Sequence, residues 1–207
     1  MAHENNRSFW QRAALFYNRA KRGDSAVYEE ICDRIRPYLS GEKNVLELGC
    51  GTGLITHRLA PLVKYWEATD YSEAMIRQAK KQKYGPKLHF SVQDAMALPF
   101  AEGTFDTVVI VNAMHAIEKP EKALTEIRRV LSDDGFLIAP DYVQDGERRQ
   151  SAKKLLASFT GLRTYSKWTA KEYIELMEQN GFELVERHRI GQGVREPVCF
   201  AVLKKTI

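Results

Sequence analysis

The sequence predicts an α/β fold in which a mostly parallel sheet carries helices on both faces. Three observations predict it. The run Val45-Leu46-Glu47-Leu48 passes into alternate glycines at Gly49, Gly51 and Gly53, and an amphipathic segment with Leu54, Ile55, Leu59 and Leu62 follows. That is strand, tight turn and helix, the way an α/β protein opens a nucleotide site. Further apolar runs at 65–69, 87–92, 107–111 and 136–139 alternate with segments of helical period. The run at 107–111 is continuously apolar after Thr107, as a central strand covered on both faces requires.

In chain order, residues 8–22 and 24–39 read as two helices. The first carries Phe9, Trp10, Ala13, Ala14, Leu15, Phe16 and Tyr17; the second carries Val27, Ile31, Ile35 and Leu39. Glycine then lets the backbone turn sharply and approach a ligand closely. The helix after the turn is expected to offer first-turn N–H groups to a polar ligand group. Asp70 ends the second strand about 20 residues beyond Gly49, the interval at which a carboxylate meets ribose hydroxyls. Ser72 caps a helix with Ala74, Met75, Ile76 and Ala79 inward. The third strand stops at Gln93-Asp94.

The fourth strand ends in Asn112-Ala113-Met114-His115-Ala116-Ile117, at the carboxyl edge where open α/β sheets bind ligands. A helix over 120–131 starts on Pro120 and leads through Asp133-Asp134-Gly135 into the fifth strand. Asp141 and Tyr142, at its carboxyl end, are candidates for substrate contact. Thr169-Ala170-Lys171-Glu172 forms a capping box, and 182–190 and 198–203 form an antiparallel hairpin across Gly191-Gln192-Gly193. A dinucleotide site wants G-x-G-x-x-G. Leu54 stands where the last glycine belongs, which argues against a nicotinamide oxidoreductase.

Five segments, in order, resemble the motifs of class I S-adenosylmethionine-dependent methyltransferases. They are Glu47-Leu48-Gly49-Cys50-Gly51-Thr52-Gly53, Asp70-Tyr71-Ser72, the run from Gln93 to Phe100, Phe105 through His115, and Arg129-Val130-Leu131 with Asp134-Gly135-Phe136. The resemblance implies a Rossmann-like seven-stranded sheet of order 3-2-1-4-5-7-6, mostly parallel with the last strand antiparallel, under an N-terminal helical cap. It implies one domain over 1–207: cap 1–39, cofactor-binding core 40–140, substrate-side insertion 141–168, and C-terminal helix and hairpin 169–207.

It further implies S-adenosyl-L-methionine as cofactor, S-adenosyl-L-homocysteine as product and no metal. The cofactor-binding residues would be Tyr17, Glu47, Gly49, Cys50, Gly51, Gly53, Asp70, Tyr71, Met75, Asp94, Ala95, Met96, Asn112 and Ala113. Among them Asp70 takes the ribose, Asp94 the adenine amine, and Tyr71 and Met75 flank the adenosine. Glu47 sits near the cofactor's amino group or accepts from backbone N–H groups instead. Tyr17 would offer an aromatic face to the positive sulfur. His115 is the first candidate for a general base, because imidazole titrates near neutrality, and Tyr142 is the second.

The acceptor is expected to be a small molecule. The 112–117 loop lacks the Asp/Asn-Pro-Pro-aromatic pattern of amino-methylating DNA enzymes, so no nucleic acid is expected. The chain has 44% hydrophobic and 28% charged residues and a net charge of +4, ordinary for a globular protein and only mildly basic. Cys32, Cys50 and Cys199 form no C-x-x-C and suggest neither disulfides nor zinc. No run of about 18 apolar residues and no apolar leader occur, so the expected location is cytoplasmic. Residues 147–171 carry seven basic groups against Glu147 and later Glu-free sequence, with Ala152, Leu155, Leu156 and Phe159 at helical spacing. Such a basic amphipathic helix motivates the alternative of weak association with an anionic membrane surface and a quinone or phospholipid headgroup as acceptor. A nucleotide-binding protein without catalysis is the third alternative.

Overall fold

The computed structural model of the chain describes residues 2–15, 17, 25–144, 165–191 and 197–206. Its strands are β1 (Asn44–Leu48), β2 (Tyr65–Asp70), β3 (Leu88–Val92), β4 (Phe105–Ile110), β5 (Leu131–Ile138), β6 (Asp141–Tyr142), β7 (Phe182–Ile190) and β8 (Val198–Lys205). They form one sheet of order β3-β2-β1-β4-β5-β8-β6, with β7 on the other side of β8. The first five strands pair in parallel, and β8 runs antiparallel to β5, β6 and β7. The long strands thus follow the expected order. The sheet differs by an eighth strand: Asp141–Tyr142, assigned from sequence to an insertion outside the sheet, pairs with Val198 and Cys199. Pro140 has no N–H to give the ladder and separates β6 from β5.

The helices are α1 (Ala2–Ala13), α2 (Ser25–Ile35), α3 (Thr56–Leu59), α4 (Glu73–Ala79), α5 (Pro120–Val130) and α6 (Ala170–Gln179). Three differ from the periodicity. α1 starts and ends ahead of the expected 8–22 span, and Phe16 and 18–24 lie outside the described residues. α2 stops at Ile35 because Pro37 diverts the chain into a 3-10 turn, Arg36–Tyr38. The helix expected after the glycine turn is only the four residues of α3, cut short by Pro61 in the 3-10 turn Ala60–Leu62. The carboxyl end of β1 is therefore followed by the backbone of the turn rather than by the first turn of a long helix.

Alternation along β1 divides the core between two faces. Val45 packs with Tyr28, Ile31 and Ile35 of α2 and with Trp66. Leu46 and Leu48 pack with Leu124 and Ile127 of α5 and Tyr173 and Met177 of α6. Thr169 caps α6 by accepting from Glu172 N, while Glu172 accepts from Thr169 N, which completes the predicted capping box. The basic segment at 145–164 and the hairpin loop at 192–196 lie outside the described residues. Among the described residues, no helix is long and apolar enough to cross a membrane.

α5 also fixes the segment after β3. Arg129 donates to the carbonyls of Phe100 at 2.6 Å and Leu98 at 2.9 Å, while its partner Glu126 accepts from Leu98 N at 2.7 Å. Arg129→Ala releases this segment. It should lower the free energy of unfolding by about 1–3 kcal/mol, read from urea denaturation.

Candidate active site

An open cleft, about 900 Å³ with the solvent space at its mouth counted, lies at the carboxyl ends of β1, β2 and β4. Tyr17, Gly49, Gly51, Asp70, Tyr71, Met75, Asp94, Ala95, Asn112 and Ala113 line it, as do Trp10, Thr69, Gln93, Ala116 and Ile117. Glu47, Cys50, Gly53, Met96, His115 and Tyr142 do not belong to this lining. The site residues chosen from sequence thus divide into a group that walls the cleft and a group that supports it.

The floor depends on backbone angles only glycine adopts freely. Gly49, Gly51 and Gly53 have φ of 69°, 56° and 82°. A Cβ on Gly49 would stand 2.7 Å from Ala113 Cβ, so the turns after β1 and β4 close on one another only without it. Asp70 fastens the turn. Its Oδ2 accepts from Gly51 N at 2.9 Å and its Oδ1 from Ser72 N at 2.7 Å. Burial pushes its pKa up to about 6, against the lowering effect of those two N–H groups. Each oxygen keeps a lone pair, so a carboxylate already bound to the backbone can still take ligand hydroxyls.

Glu47 lies under the turn, 2% exposed. It accepts from Thr56 Oγ1 at 2.7 Å and Trp66 Nε1 at 2.9 Å. Neither reading of Glu47 from sequence named these partners: both are side-chain donors, and both meet the same oxygen, Oε2. Burial pushes its pKa up to about 7, opposed by Thr56 and Trp66 and reinforced by Asp70. Cys50 is buried too. Burial, then Glu47 and Asp70, push its thiol well above the ordinary range, so it carries no thiolate. Asp94 accepts from Met96 N at 2.9 Å, which turns the chain and leaves Ala95 on the cleft wall.

On the cap side, Tyr17 meets Trp10 edge to face at 5.9 Å. Burial raises its hydroxyl pKa well above the ordinary value, with Tyr28 as hydrogen-bond partner and Tyr142 and Asp70 close by. Beyond β4, His115 sits in the 3-10 turn Met114–Ala116. Its Nδ1 lies 2.6 Å from Asp141 Oδ1, and its backbone N donates to Asp141 Oδ2 at 3.0 Å. Tyr142 N donates to Oδ1 at 2.7 Å, and the His115 and Tyr142 rings meet edge to face at 6.0 Å. Asp141 is fully buried. It positions His115 and is not offered to a substrate, a role sequence reasoning missed. The available signal was its place at the end of β5, the neighbour of β4.

A glycine turn at a switch point, with an acid closing the next strand, defines an α/β domain with a ligand-sized cleft at its carboxyl edge. Residues 46–139 match the family described as "Methyltransferase domain". The chain is 30% identical over 177 residues to the O-methyltransferase cnsE of Penicillium expansum, covering 82% of this chain and 62% of that protein. It is 34% identical over 122 residues to the ubiquinone/menaquinone biosynthesis C-methyltransferase UbiE of Roseobacter denitrificans, covering 56% of this chain and 48% of that one. The chain thus spans about half to three-fifths of these relatives. In structure it resembles a chain from the complex between the Haloferax volcanii Trm112 methyltransferase activator and a methyltransferase. The TM-score is 0.79 at 17% identity, over 96% of this chain and 98% of that one, a likeness of fold. Residues 46–139 thus carry a methyltransferase domain, and the matches support one of the class I S-adenosylmethionine-dependent kind.

The family implies S-adenosylmethionine, and the residues present fit it. The side-chain-free turn at Gly49 and Gly51, the carboxylates of Asp70 and Asp94 and the ring of Tyr17 suit a nucleoside with a positively charged sulfur.

The buried acid beneath the turn sets a pH dependence of stability. The folded pKa of Glu47 is about 7, above its ordinary 4.5, so the folded state holds the extra proton between those values. Its contribution to stability falls as pH rises from about 4.5 to 7 and is constant above. Glu47→Gln should abolish that part of the decline, measured by urea denaturation at pH 5 and pH 8.

Proposed function

We propose that this chain is an S-adenosylmethionine-dependent methyltransferase acting on a small acceptor that must give up a proton, with His115 as general base. The observation that carries the reading is the 2.6 Å contact between His115 Nδ1 and the buried Asp141 carboxylate at the carboxyl end of β4. When bound, the cofactor supplies a methyl group already activated by a positive sulfur. The protein's task is therefore alignment and exclusion of water, and alignment alone is worth roughly 7–11 kcal/mol of barrier.

Asp70 takes the ribose hydroxyls and Asp94 the adenine amine. Asp141 accepts the Nδ1 proton of His115, which selects the neutral tautomer whose Nε2 can receive a proton. The same carboxylate holds the His115 backbone N–H, so ring and main chain are placed together. A phenol, enol or carbon acid needs such a base; an amine or thiolate does not. The names of the two relatives, one an O- and one a C-methyltransferase, support an acceptor of this kind. The C-methyltransferase likeness also favours a second reading, a quinone-type acceptor presented at an anionic membrane. Recovery of the protein in the supernatant after sedimentation with anionic vesicles at low salt removes that reading.

The Asp70 pKa of about 6 makes a direct test of the cofactor assignment. Ribose hydroxyls donate to the ionised form, so affinity is constant above pH 6 and falls as pH drops through it. Calorimetry with S-adenosylhomocysteine should show this fall in the wild type and none in Asp70→Asn, whose binding is more than tenfold weaker throughout. Binding of NAD instead would overturn the assignment.

The base is tested by release of S-adenosylhomocysteine over a panel of phenols and hydroxyquinones. His115→Gln should lower kcat about 10²–10⁴-fold and erase the acidic limb of the kcat/KM profile. Asp141→Asn, which acts through His115, should lower kcat about 10²-fold or more while KM changes little. Turnover of both variants near wild type would mean that the acceptor needs no base.

A further inference from the structure

The chain that enters α6 meets His115 in a way the reading above leaves unused. Asp141 holds His115 through two groups, the backbone N and the ring Nδ1. The turn's own bonds, Ala116 N to Ala113 O and Ile117 N to Met114 O, both 3.0 Å, do not involve the His115 carbonyl. That carbonyl accepts instead from Tyr165 N at 3.1 Å and Ser166 N at 3.4 Å. Just beyond, Trp168 O accepts from Gln144 N at 2.8 Å, and Gln144 pairs with Thr169 in a parallel bridge. Residues 165–169 thus run beside the end of β6 and cross the His115 turn before α6 begins. Local rules at the start of that helix set their direction. Thr169 is the N-cap of α6. An apolar residue just before a cap often packs on the fourth helical residue, which fixes the angle at which the chain enters. Trp168 and Tyr173 occupy those two places, with ring centroids 5.4 Å apart at 37°. Tyr173 is fully buried, and its hydroxyl donates to the Ala139 carbonyl at 3.2 Å, just ahead of Pro140 and Asp141.

We infer that Trp168 is a positioning residue for the base: packed on Tyr173, it holds in place the backbone donors that fix the His115 carbonyl. The inference rests on the proposed role of His115. Asp141 bonds the amide before His115 and the ring, but not the peptide that follows. That peptide can rock about the Asp141 attachment unless its carbonyl is held too, and Tyr165 and Ser166 hold it. The stake is geometric. A base displaced by about 1 Å from the proton it must take loses on the order of 10²-fold in rate. Tyr173 serves both attachments, since its ring takes Trp168 and its hydroxyl takes the joint from which Asp141 projects. Trp168 itself lies outside the cleft lining, so replacing it removes no ligand contact. Its effect on turnover must therefore pass through the turn that carries His115.

A double-mutant cycle tests this, with the best acceptor from the panel of phenols and hydroxyquinones. Trp168→Ala should lower kcat at least tenfold and leave KM and the affinity for S-adenosylhomocysteine within twofold of wild type. The same change should cost less than twofold when His115→Gln is already present, because the group it positions is gone. Trp168→Phe keeps an aromatic ring on Tyr173 and should restore most of the loss. Trp168→Leu fills the space without a flat ring. It should show the same pattern with a smaller loss, and it stands in if the alanine variant does not fold. Amide hydrogen exchange read by mass spectrometry follows the same contact without an acceptor. Residues 113–117 should exchange at least tenfold faster in Trp168→Ala, and residues 49–53 at the wild-type rate. Wild-type turnover in Trp168→Ala, an equal loss in the His115→Gln background, or unchanged exchange at 113–117 overturns the inference and leaves the base reading standing. Wild-type turnover in His115→Gln overturns the base reading itself, and this inference with it.

Discussion

The hydrogen bond from Gly51 N to Asp70 Oδ2, 2.9 Å long, is the contact on which the rest of the site depends. It joins the turn after β1 to the end of β2 and so fixes where the backbone can approach a ligand. It forms only because Gly49 and Gly51 take positive φ. Asp70's second oxygen takes Ser72 N, the residue that caps α4. One carboxylate therefore sets the turn, the start of a helix and the acceptor for a ligand. Beneath it Glu47 ties α3 to β2 through Thr56 and Trp66. Asp70 adds to the burial that pushes the Glu47 carboxyl up.

The site has two halves, and sheet pairing brings them together. The adenosyl half is built from β1, β2 and β3 and their following turns. The chemical half is built from β4, its turn with His115, and β6 with Asp141. The Gly49–Ala113 approach seals the seam between them. Asn112 N bonded to the Pro140 carbonyl holds the end of β4 against the joint between β5 and β6. Because β6 pairs with β8, the position of Asp141, and with it the orientation of the His115 ring, is fixed by the C-terminal strand. Fold alone does not establish catalysis.

Much of this was legible in the chain. The glycine turn, Asp70, Ser72 as a cap, Pro120 at a helix start and the Thr169–Glu172 capping box are all read within windows of a few residues. Backbone angles, capping bonds and side-chain periodicity act over that range, so sequence by itself determined the long strands, α4, α5 and α6 and many of the residues that line the cleft beside β1, β2 and β3. The N-terminal helices were less legible. The aromatic pattern of the first was visible, and Pro37 shortened the second.

What the tertiary structure alone decided are the partners far apart in sequence. Glu47 looked like a ligand contact because an acid on an apolar strand demands a partner; which partner depended on the register that sets Trp66 beside β1. Asp141 looked like a substrate contact because it ends a strand; its burial against His115 required β6 to pair with β8. The bonds from Tyr165 N and Ser166 N to the His115 carbonyl are visible only when the start of α6 is packed beside β6. Local patterns record which groups need satisfying, and the packing of distant strands decides what satisfies them.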